Sequence, residues 1–228
     1  RDAKLCDFDD VPDITGYPSN ISDACDQNPT ATYRDSAAIA DCVSKVYRTW
    51  TVTDECGNST VGNTKQVITI KDTLGPVITC PSGSSLSRKA DTTKCHYTVV
   101  NNELDATATD DCFDPSTVTN NWNNNSTLSG AQLPVGVHTI VWTATDNCGN
   151  TSTCSFAITI FEIEPPVARC KGDSIQLDST GNYTITVNNI NAGSTDNCGI
   201  KSMKLNRYVY GCDDIPSRKV ILTVTDST

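Results

Sequence analysis

Three stretches of the chain repeat one phrase: Arg48–Asn58 reads RTWTVTDECGN, Val141–Asn150 reads VWTATDNCGN, and Ile221–Thr228 reads ILTVTDST. Aligned on Asp54, Asp146 and Asp226, each aspartate follows a Thr–x–Thr alternation, and four residues earlier stand Trp50, Trp142 and Leu222. Alternation of period two is the pattern of a β-strand with one face inward. Trp50 and Val52 point one way, Thr51 and Thr53 the other. The strand then runs into an Asp–x–Cys–Gly–Asn turn, whose Gly and Asn suit the positive φ of a tight hairpin.

A second strand is expected after the turn, at Gln66–Ile70 and at Cys154–Ile160, where Cys154, Phe156, Ile158 and Ile160 share a face. An acidic residue and proline come next, Asp72 to Pro76 and Glu164–Pro165–Pro166. New strands then open at Val77–Cys80 and Val167–Cys170. Proline there ends one ladder and stiffens a short linker. Boundaries near residues 73 and 164 give three expected modules, 1–73, 74–164 and 165–228, the first and last read as truncated. A complete unit of about 90 residues fits a two-sheet antiparallel sandwich. The chain reads as a piece excised from something longer, with no starting Met and no signal-type leader.

Thr, Ser and Asn make up about a third of the 228 residues and aromatics 6%, which disfavours a helical bundle or coiled coil. A net charge of −10 argues against nucleic-acid binding, which needs clustered Lys and Arg. No apolar run approaches the roughly 20 residues of a membrane-spanning helix. The 12 cysteines show no C-x-x-C pair, which removes the usual zinc and redox spacings. Their even number and wide spread point to disulfides in an oxidising, extracellular setting.

Nothing in the pattern points to an enzyme. His96 and His138 fall in expected strands, Cys95 and His96 project to opposite faces, and no nucleophile motif is present. No cofactor is expected; calcium is the one candidate ion. Asp110, Asp111, Asp114 and Asp146 would gather at one end of the middle sandwich and offer oxygen ligands, without EF-hand spacing. The unusual surface stretch is Asn120–Ser126, NWNNNS after Asn120, whose Trp122 is expected to tuck into a polar hairpin loop rather than stack on a sugar.

At these motifs the chain resembles the hyalin-repeat (HYR) family and its bacterial immunoglobulin-like relatives. The middle module carries the match most fully: Pro76–Pro81 (PVITCP), Leu133–Thr139 (LPVGVHT), Trp142–Asn150 and Thr153–Phe156 (TCSF). The first module is similar to a variant with Thr32–Asp35 (TYRD) followed by Arg48–Trp50. The third resembles a variant with Asp196–Ile200 (DNCGI) closing at Leu222–Asp226. Tandem arrays of such modules are typical of giant cell-surface proteins of gliding Bacteroidetes, among them a gliding-motility adhesin exported by the type 9 secretion system. The resemblance implies an all-β fold of tandem antiparallel immunoglobulin-like β-sandwich modules stapled by disulfides. It also implies an extracellular, cell-surface location.

The staples are expected within modules. Cys112–Cys148 would join the two Asp–x–Cys loops of the middle module, with Cys25–Cys56 and Cys198–Cys212 as counterparts. The hyalin-type pattern implies Cys80–Cys154, and Cys6–Cys42 completes module one. Cys95 and Cys170 are then left over, either both free or joined across the linker near residue 164, and disulfide geometry favours two free thiols. The expected role is a structural stalk segment of a secreted, surface-anchored adhesin. Its partners would be neighbouring repeats, the type 9 secretion machinery and, through other parts of the protein, an external surface or glycan. The alternative is an accessory or carbohydrate-binding module set of a secreted bacterial hydrolase.

Overall fold

The computed structural model describes residues 15–38, 42–62, 65–81, 86–110 and 117–227. Its strands, in order, are β1 Thr30–Ala38, β2 Val43–Thr53, β3 Ser59–Val61, β4 Gln66–Lys71, β5 Val77–Thr79, β6 Leu86–Lys89, β7 His96–Thr98 and β8 Thr107–Thr109. There follow β9 Thr117–Asn120, β10 Gln132–Pro134, β11 Gly136–Thr145, β12 Thr151–Phe161, β13 Asn182–Thr184, β14 Ile200–Leu205, β15 Val209–Gly211 and β16 Leu222–Asp226. Among the described residues a helical turn, α1 Val187–Ile190, and a 3-10 turn, Cys212–Asp214, interrupt them. The fold is all-β and disulfide-stapled, as composition and alternation led one to expect. The chain divides into two compact units, one drawn from 1–80, 106–126 and 141–154, the other from 81–105, 127–140 and 155–228.

In the first unit β2 is the organising strand. It pairs antiparallel with β1 along nine residues, and with β3 and β4 on its other edge. Ser44, Val46, Arg48 and Trp50 are its buried positions, a period-two set that includes Trp50 as expected and, beyond that expectation, a cation. Arg48 is fully buried, and Asp35 stands directly opposite on β1. Its Nε and Nη2 donate to the two Asp35 carboxylate oxygens at 2.9 and 2.8 Å, and Nη1 donates to Thr15 Oγ1 at 2.6 Å. The guanidinium carbon lies 3.9 Å from the centroid of the Tyr33 ring, and Tyr33 is in register with Trp50. The TYRD and RTW segments are thus one cross-strand unit: a bidentate ion pair under an aromatic lid. Trp50 joins it as a core residue whose indole N–H donates to Gln66 Oε1 at 3.0 Å.

Also in this unit, β5 pairs with β8, and β9 with the Trp142–Thr145 end of β11. Trp142 faces Asn120 in that register and is wholly buried. Gly75 lies so close to the start of β12 that a Cβ there would sit 2.8 Å from Ser152 Oγ and from the Thr151 carbonyl oxygen.

In the second unit the core is Val99, Leu104, Leu128, Leu133, Ile140, Phe156, Ile158 and Ile160, with β7 paired to β10. Strands β6 and β12 pair in parallel, a departure from a purely antiparallel sandwich. A hairpin cannot join parallel neighbours, and the long connection from Lys89 to Ile158 supplies the crossover. Arg88 donates to Glu103 at 2.9 Å, and Tyr97 donates its hydroxyl to the same carboxylate. The remaining segment pairs β13 with β15 and β14 with β16 over Ile185, Ile190, Leu205, Tyr210 and Leu222.

Removing the acid from the buried pair of β1 and β2 strands a cation in the core. Asp35→Ala is expected to lower the unfolding free energy by about 3–5 kcal/mol, measured by urea denaturation. A loss under about 1 kcal/mol, the size of a surface pair, would show that Arg48 is not dependent on Asp35.

Candidate functional site

Three turns carry the same local chemistry. In Asp54–Asn58 the Asp54 carboxylate accepts from the Asn58 backbone N–H and side-chain amide, both at 2.8 Å. In Asp146–Asn150 the same bonds are 2.9 and 2.8 Å, and Oδ1 also accepts from Cys148 N at 2.7 Å. Gly57 and Gly149 adopt φ of 88° and 84°, which explains the glycine after each cysteine. In Asp196–Ile200 the Cys198 N–H donates to Asp196 Oδ1 at 2.8 Å, and Gly199 has φ 99°. Here Ile200 replaces the asparagine, and Asp196 Oδ2 is buried without a partner. Each carboxylate gathers the turn's own N–H groups, which fixes the cysteine at the tip of the loop.

The cysteines of the second and third turns are bonded to residues about a hundred positions upstream. Cys42 is joined to Cys148, with Cα atoms 5.1 Å apart and a sequence separation of 106. Cys95 is joined to Cys198, at 4.8 Å and a separation of 103. Cys80 is joined to Cys154, at 5.8 Å and a separation of 74. These bonds correct three expected pairings and one expected free thiol. Cys148 is not paired with Cys112, Cys42 is not paired with Cys6, Cys198 is not paired with Cys212, and Cys95 is not free. Cys25 and Cys56, expected to pair, are exposed thiols, as are Cys170 and Cys212. Cys6 and Cys112 lie outside the described residues.

The local geometry gives the reason. Cys42 immediately precedes β2, and its carbonyl accepts from Asp72 N at 3.2 Å, which holds it beside the linker that leaves β4. That linker packs Gly75 against the first residues of β12, which begins where the Asp146 turn ends. The turn tip therefore meets Cys42, whose Sγ also lies 3.4 Å from the Asn147 carbonyl oxygen. Around Cys95 the pattern recurs. Thr93 N donates to Glu164 of the next linker at 3.0 Å, and the Asn197 amide of the third turn donates to the Lys94 carbonyl at 3.1 Å. In both places the exit end of one segment is bonded to the turn of the next. The signal available in the sequence was the identity of Thr145–Gly149 with Thr195–Gly199, TDNCG in both; aligning Cys198 with Cys112 instead concealed it.

The other candidates resolve differently. Of the acids proposed for calcium, Asp111 and Asp114 lie outside the described residues. Asp146 directs its oxygens at the N–H donors of its own turn, the opposite of what a cation site needs, and the described residues hold no cluster of metal-ligating side chains. The sulfur next to His96 belongs to a cystine, so no thiol–imidazole pair exists there. His138 Nε2 lies 2.7 Å from the Pro134 carbonyl. Trp122 is not tucked in. It is 38% exposed, on a loop built around buried Asn120, whose side-chain oxygen accepts from Trp122 N and Asn123 N at 2.9 and 3.0 Å. A cleft of about 540 Å³ opens beside β15, with Ile185, Ile190 and Tyr210 in its lining.

Fold and cystines together define a disulfide-braced all-β protein suited to oxidising, extracellular surroundings. Within it, residues 71–160 match the HYR domain family, a non-catalytic module of the adhesion type. Among the described residues no helix is long and apolar enough to cross a membrane. Cys148 and Cys95 lie inside the matched segment, whereas Cys42 precedes it and Cys198 follows it.

The turn carboxylates predict a pH effect. Burial alone would raise the Asp146 pKa, but the Asn150 amide and the turn's N–H groups outweigh it and hold the value below the ordinary 3.8. A folded-state pKa below the unfolded one contributes stability that is present above about pH 4 and is lost as pH falls through the folded value. Asp146→Asn lacks this term. The melting temperatures of parent and variant are expected to differ most above about pH 5 and to converge as pH drops below 3.8. A constant gap across that range would contradict the assignment.

Proposed function

We propose that this chain is a structural stalk segment of a secreted, surface-anchored, repetitive adhesin, built of tandem modules at 1–73, 74–164 and 165–228. The observation that carries the reading is that the HYR segment is cystine-bonded to chain on both of its sides, through Cys42–Cys148 and Cys95–Cys198. Bonds across a boundary do nothing for a ligand pocket and much for a spacer, because they oppose bending and separation of consecutive segments. The segment's partners in this reading are neighbouring repeats; the contacted surface or glycan is bound elsewhere in the parent protein. Export by type 9 secretion and a part in gliding belong to the same proposal and rest on the family resemblance alone.

A second reading, a carbohydrate-binding or accessory module of a secreted hydrolase, is favoured by one observation, the exposed Trp122 on its preorganised loop. Sugar rings stack on such platforms.

Cell-adhesion force measurements separate the two. Deleting residues 15–227 from the parent protein on producing cells is expected to shorten the distance at which adhesive bonds rupture while leaving their frequency on a bare surface unchanged. Loss of adhesion at every separation, restored only by segments that keep Trp122, would overturn the stalk reading.

A further inference from the structure

The three cystines among the described residues are connected in series along the chain. From Cys42 the first bond leads to Cys148. About six residues on is Cys154, bonded to Cys80, and about fifteen residues beyond that is Cys95, bonded to Cys198. Between Cys42 and Cys198 the backbone runs through about 156 residues, whereas the covalent route through sulfur uses about 21. At most 3.6 Å per residue, those lengths are about 560 Å and about 75 Å, the latter plus three cystine spans.

We propose that this route is the protein's load path: tension entering near Cys42 and leaving near Cys198 is carried by the three cystines and the segments 148–154 and 80–95. The strands on which the cores depend, including β2, β11 and β14 with their Trp50, Trp142 and Leu205, lie off the route. They can unfold without lengthening the molecule by their own contour. The inference deepens the stalk reading and takes its biological purpose from it. The connectivity it rests on is independent of that reading. Had the bonds stayed within modules, as Cys112–Cys148, Cys80–Cys154 and Cys198–Cys212, the shortest route would have kept residues 42–80 and 154–198 in the line of force.

Optical-tweezers extension tests it on the whole chain. Handles are attached at Lys45 and Lys201, both exposed, each replaced by an azide-bearing residue. Fully stretched, the oxidised protein is expected to reach about 110 Å between handles, and the dithiothreitol-reduced protein about 560 Å, at most 3.6 Å per residue. The dithiol closes to a cyclic disulfide as each cystine gains two electrons and two protons. A Cys80→Ser, Cys154→Ser variant removes the middle bond and is expected to lengthen the oxidised molecule by about 95 Å, still far short of the reduced length. An oxidised length near 300 Å, the value for bonds confined within modules, would overturn the load path and leave the stalk reading standing. So would an unchanged length in the double variant. A shortened adhesive reach in the cell experiment bears on the stalk reading alone.

Discussion

A chain with 37% hydrophobic residues, cut into strands that are mostly three to six residues long, has little apolar surface with which to hold separate segments in register. The constraint that replaces it is covalent. Bonds with separations of 106, 74 and 103 residues each close a long loop, worth about 4–5 kcal/mol apiece in the chain-entropy treatment. The loops interlock, so the contributions are not additive: once Cys42–Cys148 is closed, much of the freedom that Cys80–Cys154 would remove has gone. What the bonds secure is connectivity, and the small cores beneath them then need only fill space.

Placement of those bonds depends on a few polar contacts. The Asp146 carboxylate pins Cys148 at a turn tip, and the Asp72–Cys42 backbone bond holds its partner beside the linker. The third turn shows the tolerance of the device. With Ile200 where Asn150 stands in the second, Asp196 forgoes one bond and still presents Cys198.

Much of the fold was legible in the sequence because strand alternation is local. Trp50 and Trp142 lie on buried faces as their period-two neighbours indicate, and the positive-φ glycines stand where the turn chemistry requires them. Arg48 was legible only as part of a motif. Its burial depends on Asp35, thirteen residues away, and a cation in an inward position looks like an outward one until the register is known. The cystines were hardest. Pairing within a module follows if each cysteine seeks the nearest loop of its own sandwich; Cys42 and Cys95 instead face the linker at their segment's exit. That fact belongs to how the chain leaves one segment, and no residue pattern inside the segment encodes it. The parallel β6–β12 pairing escaped because strand alternation fixes which face is buried and says nothing of which strands become neighbours.

Peptide mapping of the unreduced, thiol-blocked protein tests the central claim most directly. The account predicts fragments joining Cys42 to Cys148, Cys80 to Cys154 and Cys95 to Cys198, with Cys25, Cys56, Cys170 and Cys212 carrying the blocking group. Fragments joining Cys112 to Cys148 and Cys198 to Cys212 would contradict it.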